Sequence, residues 1–236
     1  MTPSSQRVDE SICRLIENDH ALRFLDLSFT FLNAEETARI AEALLINSIL
    51  TTLYLGDNCL KARDVSRIAR ALWVNSTLTT LDLSANEMKS AGAARIAEAL
   101  SINSTLTTLY LGFNGLKAKG GAWIAEALST NSTLTTLSLR RNKLKKEGAV
   151  RIAMALSINC TLTSLDLGWN CLNAEGTARI DEVLSINASL VTLGLGFGGT
   201  GGFGRYLERN KHNQEQKLMS LFFILWISLT AGWDNE

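Results

Sequence analysis

The sequence predicts a stacked array of α/β units, each supplying one short strand, one loop and one amphipathic helix. Three observations carry that expectation. "LTTLYLGDN" from Leu50 returns as "LTTLDLSAN" from Leu78, "LTTLYLGFN" from Leu106, "LTTLSLRRN" from Leu134 and "LTSLDLGWN" from Leu162, always 28 residues on. Within a unit the apolar residues first follow LxxLxLxxN and then helical spacing, as in Leu53, Leu55 and Leu60 followed by Ile68, Ala69 and Leu72. The chain has one proline, Pro3, so almost nothing beyond its start removes a backbone donor or fixes φ. A unit that buries its apolar face only against its neighbours gives a solenoid with atypical ends.

The elements follow in order. Residues 1–21 predict a helix from a truncated first unit, because Ile12, Ile16 and Asp19 stand 28 residues before Ile40, Leu44 and Asn47. Residues 22–204 hold seven repeats of 28 residues. The first, "LRFLDLSFT" from Leu22, and the last, "LVTLGLGFG" from Leu190, are degenerate, with Thr30 and Gly198 in the asparagine position. Residues 205–236 begin as the polar "RYLERNKHNQEQK" and turn abruptly into the uncharged "LMSLFFILWISLTAGW" of residues 218–233. A helix apolar on every side needs a cover. Two readings remain open: a hydrophobic lid over the end of the stack, or a C-terminal membrane anchor. Sixteen residues fall short of the roughly 20 a spanning helix uses, which favours the lid. Membrane contact is expected through 218–233 or not at all.

The repeated motif resembles the leucine-rich repeat family, in particular the ribonuclease-inhibitor-like class of 28-residue repeats found in NOD-like receptors and RanGAP. The resemblance spans about residues 10–204. It implies an α/β horseshoe, a parallel β-sheet on the concave side and α-helices on the convex side, used as a protein-interaction scaffold. Asn58, Asn86, Asn114, Asn142 and Asn170 match the family's turn asparagine, whose amide can satisfy backbone groups of the loop. RanGAP stimulates GTP hydrolysis by Ran, so the resemblance also implies a GTPase-activating alternative, for which Arg63, Arg140 and Arg141 are the loop arginines on offer. No acidic C-terminal tail accompanies them, and no residue is singled out as catalytic.

"NSTLTTL" occurs at Asn75, Asn103 and Asn131 and reads as a glycosylation signal. However, Asn159, Asn187 and Asn47 hold the same repeat position, and Asn47 is followed by "SI", which is no sequon. The expectation is structural: an asparagine in the left-handed region that stops each helix.

Composition excludes several functions. Lys plus Arg and Asp plus Glu number 23 each, so a nucleic acid or an anionic surface is not an expected partner. The N-terminus has no apolar leader core, which predicts a cytoplasmic protein. Cys59 and Cys171 lie four units apart, about 19 Å at the usual strand spacing, so reduced and mostly buried thiols are expected. No cysteine or histidine spacing suggests a metal. His20 and His212 both lie outside the regular units, so no histidine-centred catalytic group is expected, and the chain is read as non-enzymatic. "GFGGTG" from Gly196 follows a strand but precedes no second parallel strand, so it reads as the decay of the last repeat and no cofactor is expected.

Leucines of each strand point inward, so the residues between them form columns on the sheet face. One reads Asp26, Tyr54, Asp82, Tyr110, Ser138, Asp166, Gly194; another, beside the turn, Phe29, Asp57, Ala85, Phe113, Arg141, Trp169, Phe197; a third is nearly all threonine from Thr52 to Thr192. The threonines read as scaffold. Aromatics interleaved with charges in the other two suit a protein interface. Tyr54, Asp82, Tyr110, Phe113, Arg141, Asp166 and Trp169 are therefore the candidate partner-binding residues. "RRNKLKK" from Arg140 to Lys146 is a basic loop beside them.

Overall fold

The computed structural model describes residues 3–196 and 204–230. Its elements are α1 (Pro3–Ile16), β1 (Phe24–Asp26), α2 (Ala34–Ile46), β2 (Thr52–Tyr54), α3 (Ala62–Leu72), β3 (Thr80–Asp82), α4 (Lys89–Leu100), β4 (Thr108–Tyr110), α5 (Lys117–Leu128), β5 (Thr136–Ser138), α6 (Lys145–Leu156), β6 (Ser164–Asp166), α7 (Asn173–Leu184), β7 (Thr192–Gly194) and α8 (Gly204–Thr230). The strands form one parallel, open sheet in the order β1-β2-β3-β4-β5-β6-β7. The 28-residue period is the register itself, for Leu25 pairs with Leu53, Leu53 with Leu81 and Leu81 with Leu109. Strands stack about 4.8 Å apart, whereas packed helices need about 8–10 Å, so the array curls with the sheet inside.

Between sheet and helices runs one core. Leu53, Leu55 and Ile68 are wholly buried, as are their counterparts Leu81, Leu83 and Ile96 in the next unit. Each such side chain contributes about 1.5–3 kcal/mol by leaving water. Small residues keep the helices close: a Cβ on Gly120 of α5 would stand 3.2 Å from the Ala93 Cβ of α4.

Two asparagine ladders supply what the core cannot. In the turn ladder Asn142 donates through Nδ2 to the carbonyls of Leu111 (2.8 Å) and Leu139 (3.0 Å), and its Oδ1 accepts from the N–H of Asn114 and Leu116. The helix-end ladder differs from expectation. Asn47 has φ −72 and is extended, and none of Asn75, Asn103, Asn131, Asn159 or Asn187 takes a positive φ. These residues work through their amides instead. Asn75 donates to the carbonyls of Leu44 and Asn47 in the preceding unit and accepts from Leu78 N–H at 2.8 Å. It is 5% exposed, which leaves no free amide for a glycan in the folded chain. The left-handed conformation falls in the turns, at Phe29, Asp57, Ala85, Phe113, Arg141 and Trp169, each with φ between 53 and 61.

The ends depart from the repeat. In α1, Val8, Ile12 and Leu15 are buried while Ile16 is 44% exposed, so Leu15 and not Ile16 fills the apolar position. Asn47 accordingly bonds the Leu15 carbonyl, 32 residues back, where later units reach 31. Beyond β7 the polar half of α8 meets the last repeat. Arg209 donates to the carbonyls of Leu184, Ser185 and Asn187, and Asn210, wholly buried, to those of Asn187 and Leu190. Leu184 and Asn187 are the carbonyls a seventh helix-end asparagine would have taken. Leu218 and Met219 are exposed; the side chains from residue 220 onward and residues 231–236 lie outside the described part, and so does the glycine-rich run after Gly196. Among the described residues no helix is long and apolar enough to cross a membrane.

The cysteines also differ from expectation. Cys13, Cys59, Cys160 and Cys171 are all free and all exposed, because the repeat positions they hold lie on outward-facing loops and on the outer side of α1.

Candidate protein-binding face

Strand register places the candidate residues in rows. Tyr54 stands beside Asp82, Asp82 beside Tyr110, Tyr110 beside Ser138, and Ser138 beside Asp166. Tyr54 and Tyr110 thus flank one carboxylate at about one strand spacing on either side. Each aspartate has a local task as well. Asp26, Asp82 and Asp166 accept through Oδ1 from the N–H two residues on, at Ser28 (2.9 Å), Ser84 (2.7 Å) and Gly168 (2.8 Å). The second oxygen of Asp166 lies 3.7 Å from the Arg140 guanidinium.

Along the turn column the side chains stack. The Arg141 guanidinium lies 5.2 Å from the Phe113 ring centre and 4.8 Å from that of Trp169. These spacings follow from the scaffold, since residues one repeat apart project from strands about 4.8 Å apart. Each contact contributes about 0.5–1 kcal/mol at an exposed position. Phe113 is 49% and Trp169 43% exposed.

Sequence reasoning missed Phe24 and the pairing of Arg140. Phe24 is 55% exposed and packs edge-on against Tyr54, with ring centres 5.2 Å apart. Its signal was available: it occupies the first place of the threonine column. Arg140 holds a column position that is Ser28, Gly56, Ser84, Gly112, Gly168 and Gly196 in the other repeats, so it rises alone from a smooth strip. The loop arginines of the GTPase-activating alternative have separate surroundings: Arg63 is exposed on α3, Arg140 pairs with Asp166, and Arg141 is sandwiched. The helix side carries ion pairs, Arg95 on Glu98 (2.8 Å), Arg179 on Glu182 and Arg39 on Asp9, beside exposed apolar side chains such as Trp73, Trp123 and Met154. Among the described residues no group of histidines, cysteines and carboxylates could hold a metal ion.

The Leucine Rich repeat family model matches residues 74–97, 103–125, 130–153 and 159–178. No curated protein matches the chain. Among solved structures, the tropomodulin C-terminal domain of Caenorhabditis elegans is similar with a TM-score of 0.50 at 14% identity, over 90% of this chain and 98% of that one. Leiomodin-1 actin-binding site 2 gives 0.47 at 20% identity, over 92% and 96%. The leucine-rich repeat-containing protein LegL7 of Legionella pneumophila gives 0.44 at 22% identity, over 81% and 71%. At these identities the tropomodulin likeness is one of fold.

Proposed function

Since the chain is a leucine-rich-repeat solenoid with an uncovered inner sheet among the described residues, we propose that it is a non-catalytic scaffold gripping a protein partner on that sheet. Tyr54, Tyr110, Phe113 and Trp169 are the anchors. Asp82, Asp166 and Arg141 set the polarity, and the exposed thiols fit a cytosolic setting that keeps them reduced. One observation carries the reading. Phe113 and Trp169 hold φ 58 and 61, a conformation that suits glycine or asparagine and disfavours bulky side chains, while Asp57 and Ala85 fill the same position elsewhere. The fold demands a left-handed residue there and not an aromatic one. Large, rigid side chains kept half exposed against backbone preference are what interface anchors need.

The test is affinity capture from a native cell lysate, comparing the intact chain with Tyr54→Ala/Tyr110→Ala/Trp169→Ala after matched circular dichroism. A protein recovered with the first and lost with the second supports the reading. Equal recovery sinks it. A small GTPase as the recovered protein, with its hydrolysis accelerated, contradicts the non-catalytic part.

A further inference from the structure

We propose that the loop from Arg140 to Lys146, with the two rings beside it, is a receptor for an acidic peptide segment of the partner. The assignment rests on the sheet-face reading, because Phe113, Arg141 and Trp169 belong to both. Its first support is how the cations divide. Arg140 is committed to Asp166 at 3.7 Å and Lys146 to Glu175 at 2.7 Å. Arg141, Lys143 and Lys145 are exposed and have no acidic partner among the described residues.

The second is preorganisation. Rings at 5.2 and 4.8 Å on either side hold the Arg141 guanidinium while its N–H edge stays available. A planar fork fixed in this way matches a carboxylate in two-point geometry and loses little freedom on binding. Backbone conformation is the third. Arg141, Lys143 and Lys145 have φ 54, 57 and 58, and the equivalent positions are Phe113, Gly115 and Lys117 one unit before and Trp169, Cys171 and Asn173 one unit after. Among the described residues only this loop puts a cation in all three left-handed places, where long side chains are disfavoured and glycine or asparagine would be easiest.

A nucleic acid fits less well. Glu147, exposed and without an ion-pair partner among the described residues, stands in the first turn of α6 just after the loop, and Asp166 and Glu175 border it, which repels a continuous phosphate backbone. The rings are engaged with Arg141 rather than open for base stacking. The zero net charge adds no general attraction.

The experiment uses fluorescence anisotropy of a labelled twelve-residue peptide alternating Glu and Gly, with the full chain in low salt, against its Gln counterpart and a twelve-nucleotide thymidine strand. The proposal expects the Glu peptide to bind, the Gln peptide to bind at least tenfold more weakly, and Arg141→Gln/Lys143→Gln/Lys145→Gln to lower Glu-peptide affinity at least tenfold with unchanged circular dichroism. Arg141→Lys, which keeps charge and loses the fork, recovers only part of it. Tyr54→Ala/Tyr110→Ala, which probes the sheet-face reading, leaves peptide affinity within twofold, so either reading can fail without the other. Absence of binding, binding that the triple variant leaves intact, or tighter binding of the thymidine strand overturns the acidic-peptide assignment.

Discussion

Asn142→Ala and Asn114→Ala remove the same side chain from neighbouring units, yet the structure predicts unequal losses. Asn142 Nδ2 serves the carbonyls of Leu111, Leu139 and Arg140, and each keeps another donor when it goes: Asn114 Nδ2, Asn170 Nδ2 and Phe113 N–H respectively. Its Oδ1, by contrast, accepts from the buried N–H groups of Asn114 (3.0 Å) and Leu116 (3.3 Å), for which no other acceptor is seen. Two orphaned donors cost about 1–3 kcal/mol each. Asn114 serves the carbonyls of Leu83, Leu111 and Gly112, which likewise keep other donors, but its Oδ1 has no partner among the described residues. Here the ladder skips a rung: Asn58 and Leu60 donate their N–H groups to Asn86 Oδ1, and Asn114 and Leu116 theirs to Asn142 Oδ1, but the equivalent N–H groups of Asn86 and Met88 do not reach Asn114 Oδ1. Asn114→Ala therefore orphans no N–H. The expectation is that Asn142→Ala loses about 2–6 kcal/mol more than Asn114→Ala, read from urea unfolding midpoints at equal slope. Losses equal within about 1 kcal/mol, or a larger one at Asn114, refute the view that unpaired amides set the cost.

Three further outcomes follow from the ends and the surface. Arg209→Ala/Asn210→Ala uncovers the carbonyls of Leu184, Asn187 and Leu190; hydrogen exchange should quicken across residues 173–194, by about 1–3 kcal/mol of local stability, and stay unchanged in β2 to β4. The Asp19 carboxyl lies below the usual carboxylate range because Ala21 N–H donates to it and Arg14 pairs with it. A depressed folded pKa gives stability that is present above the unfolded value near ~3.9 and lost as pH falls through the folded one. The stability gap between the intact chain and Asp19→Asn should therefore narrow as acid is added below that range, as followed by thermal melts. Exposure of Cys13, Cys59, Cys160 and Cys171 predicts that the native chain reacts rapidly with Ellman's reagent at four thiols; slow reaction until denaturant is added contradicts it.

Which parts were legible depended on whether a neighbour was needed to see them. The 28-residue spacing became strand register without a slip, and the buried leucines are those the motif marks. A period is a property of one chain, so sequence displays it. Asn75 and its kin were misread because asparagine tolerates the left-handed region, and only the adjacent unit reveals that its amide is spent on Leu44 and Asn47. Leu15 displaced Ile16 because a one-residue change of register in α1 is invisible until Asn47 has a carbonyl to meet. The closing of the stack by Arg209 and Asn210 was hidden for a related reason: hydrogen bonds do the work, and apolar periodicity cannot register them. At the candidate site the columns could be written down from the repeat. The sandwiched guanidinium and the left-handed turns could not, since φ leaves no hydrophobic signature.

The central claim is that the inner sheet is where a protein is held. A photo-crosslinking amino acid placed singly at Thr108 on β4, and in parallel at Lys119 on the outer α5, tests it most directly in a native lysate. The account predicts a discrete protein adduct from position 108 that disappears in the Tyr54→Ala/Tyr110→Ala/Trp169→Ala background, and none from position 119. An adduct from position 119 alone, or one from position 108 that survives loss of the aromatics, contradicts it.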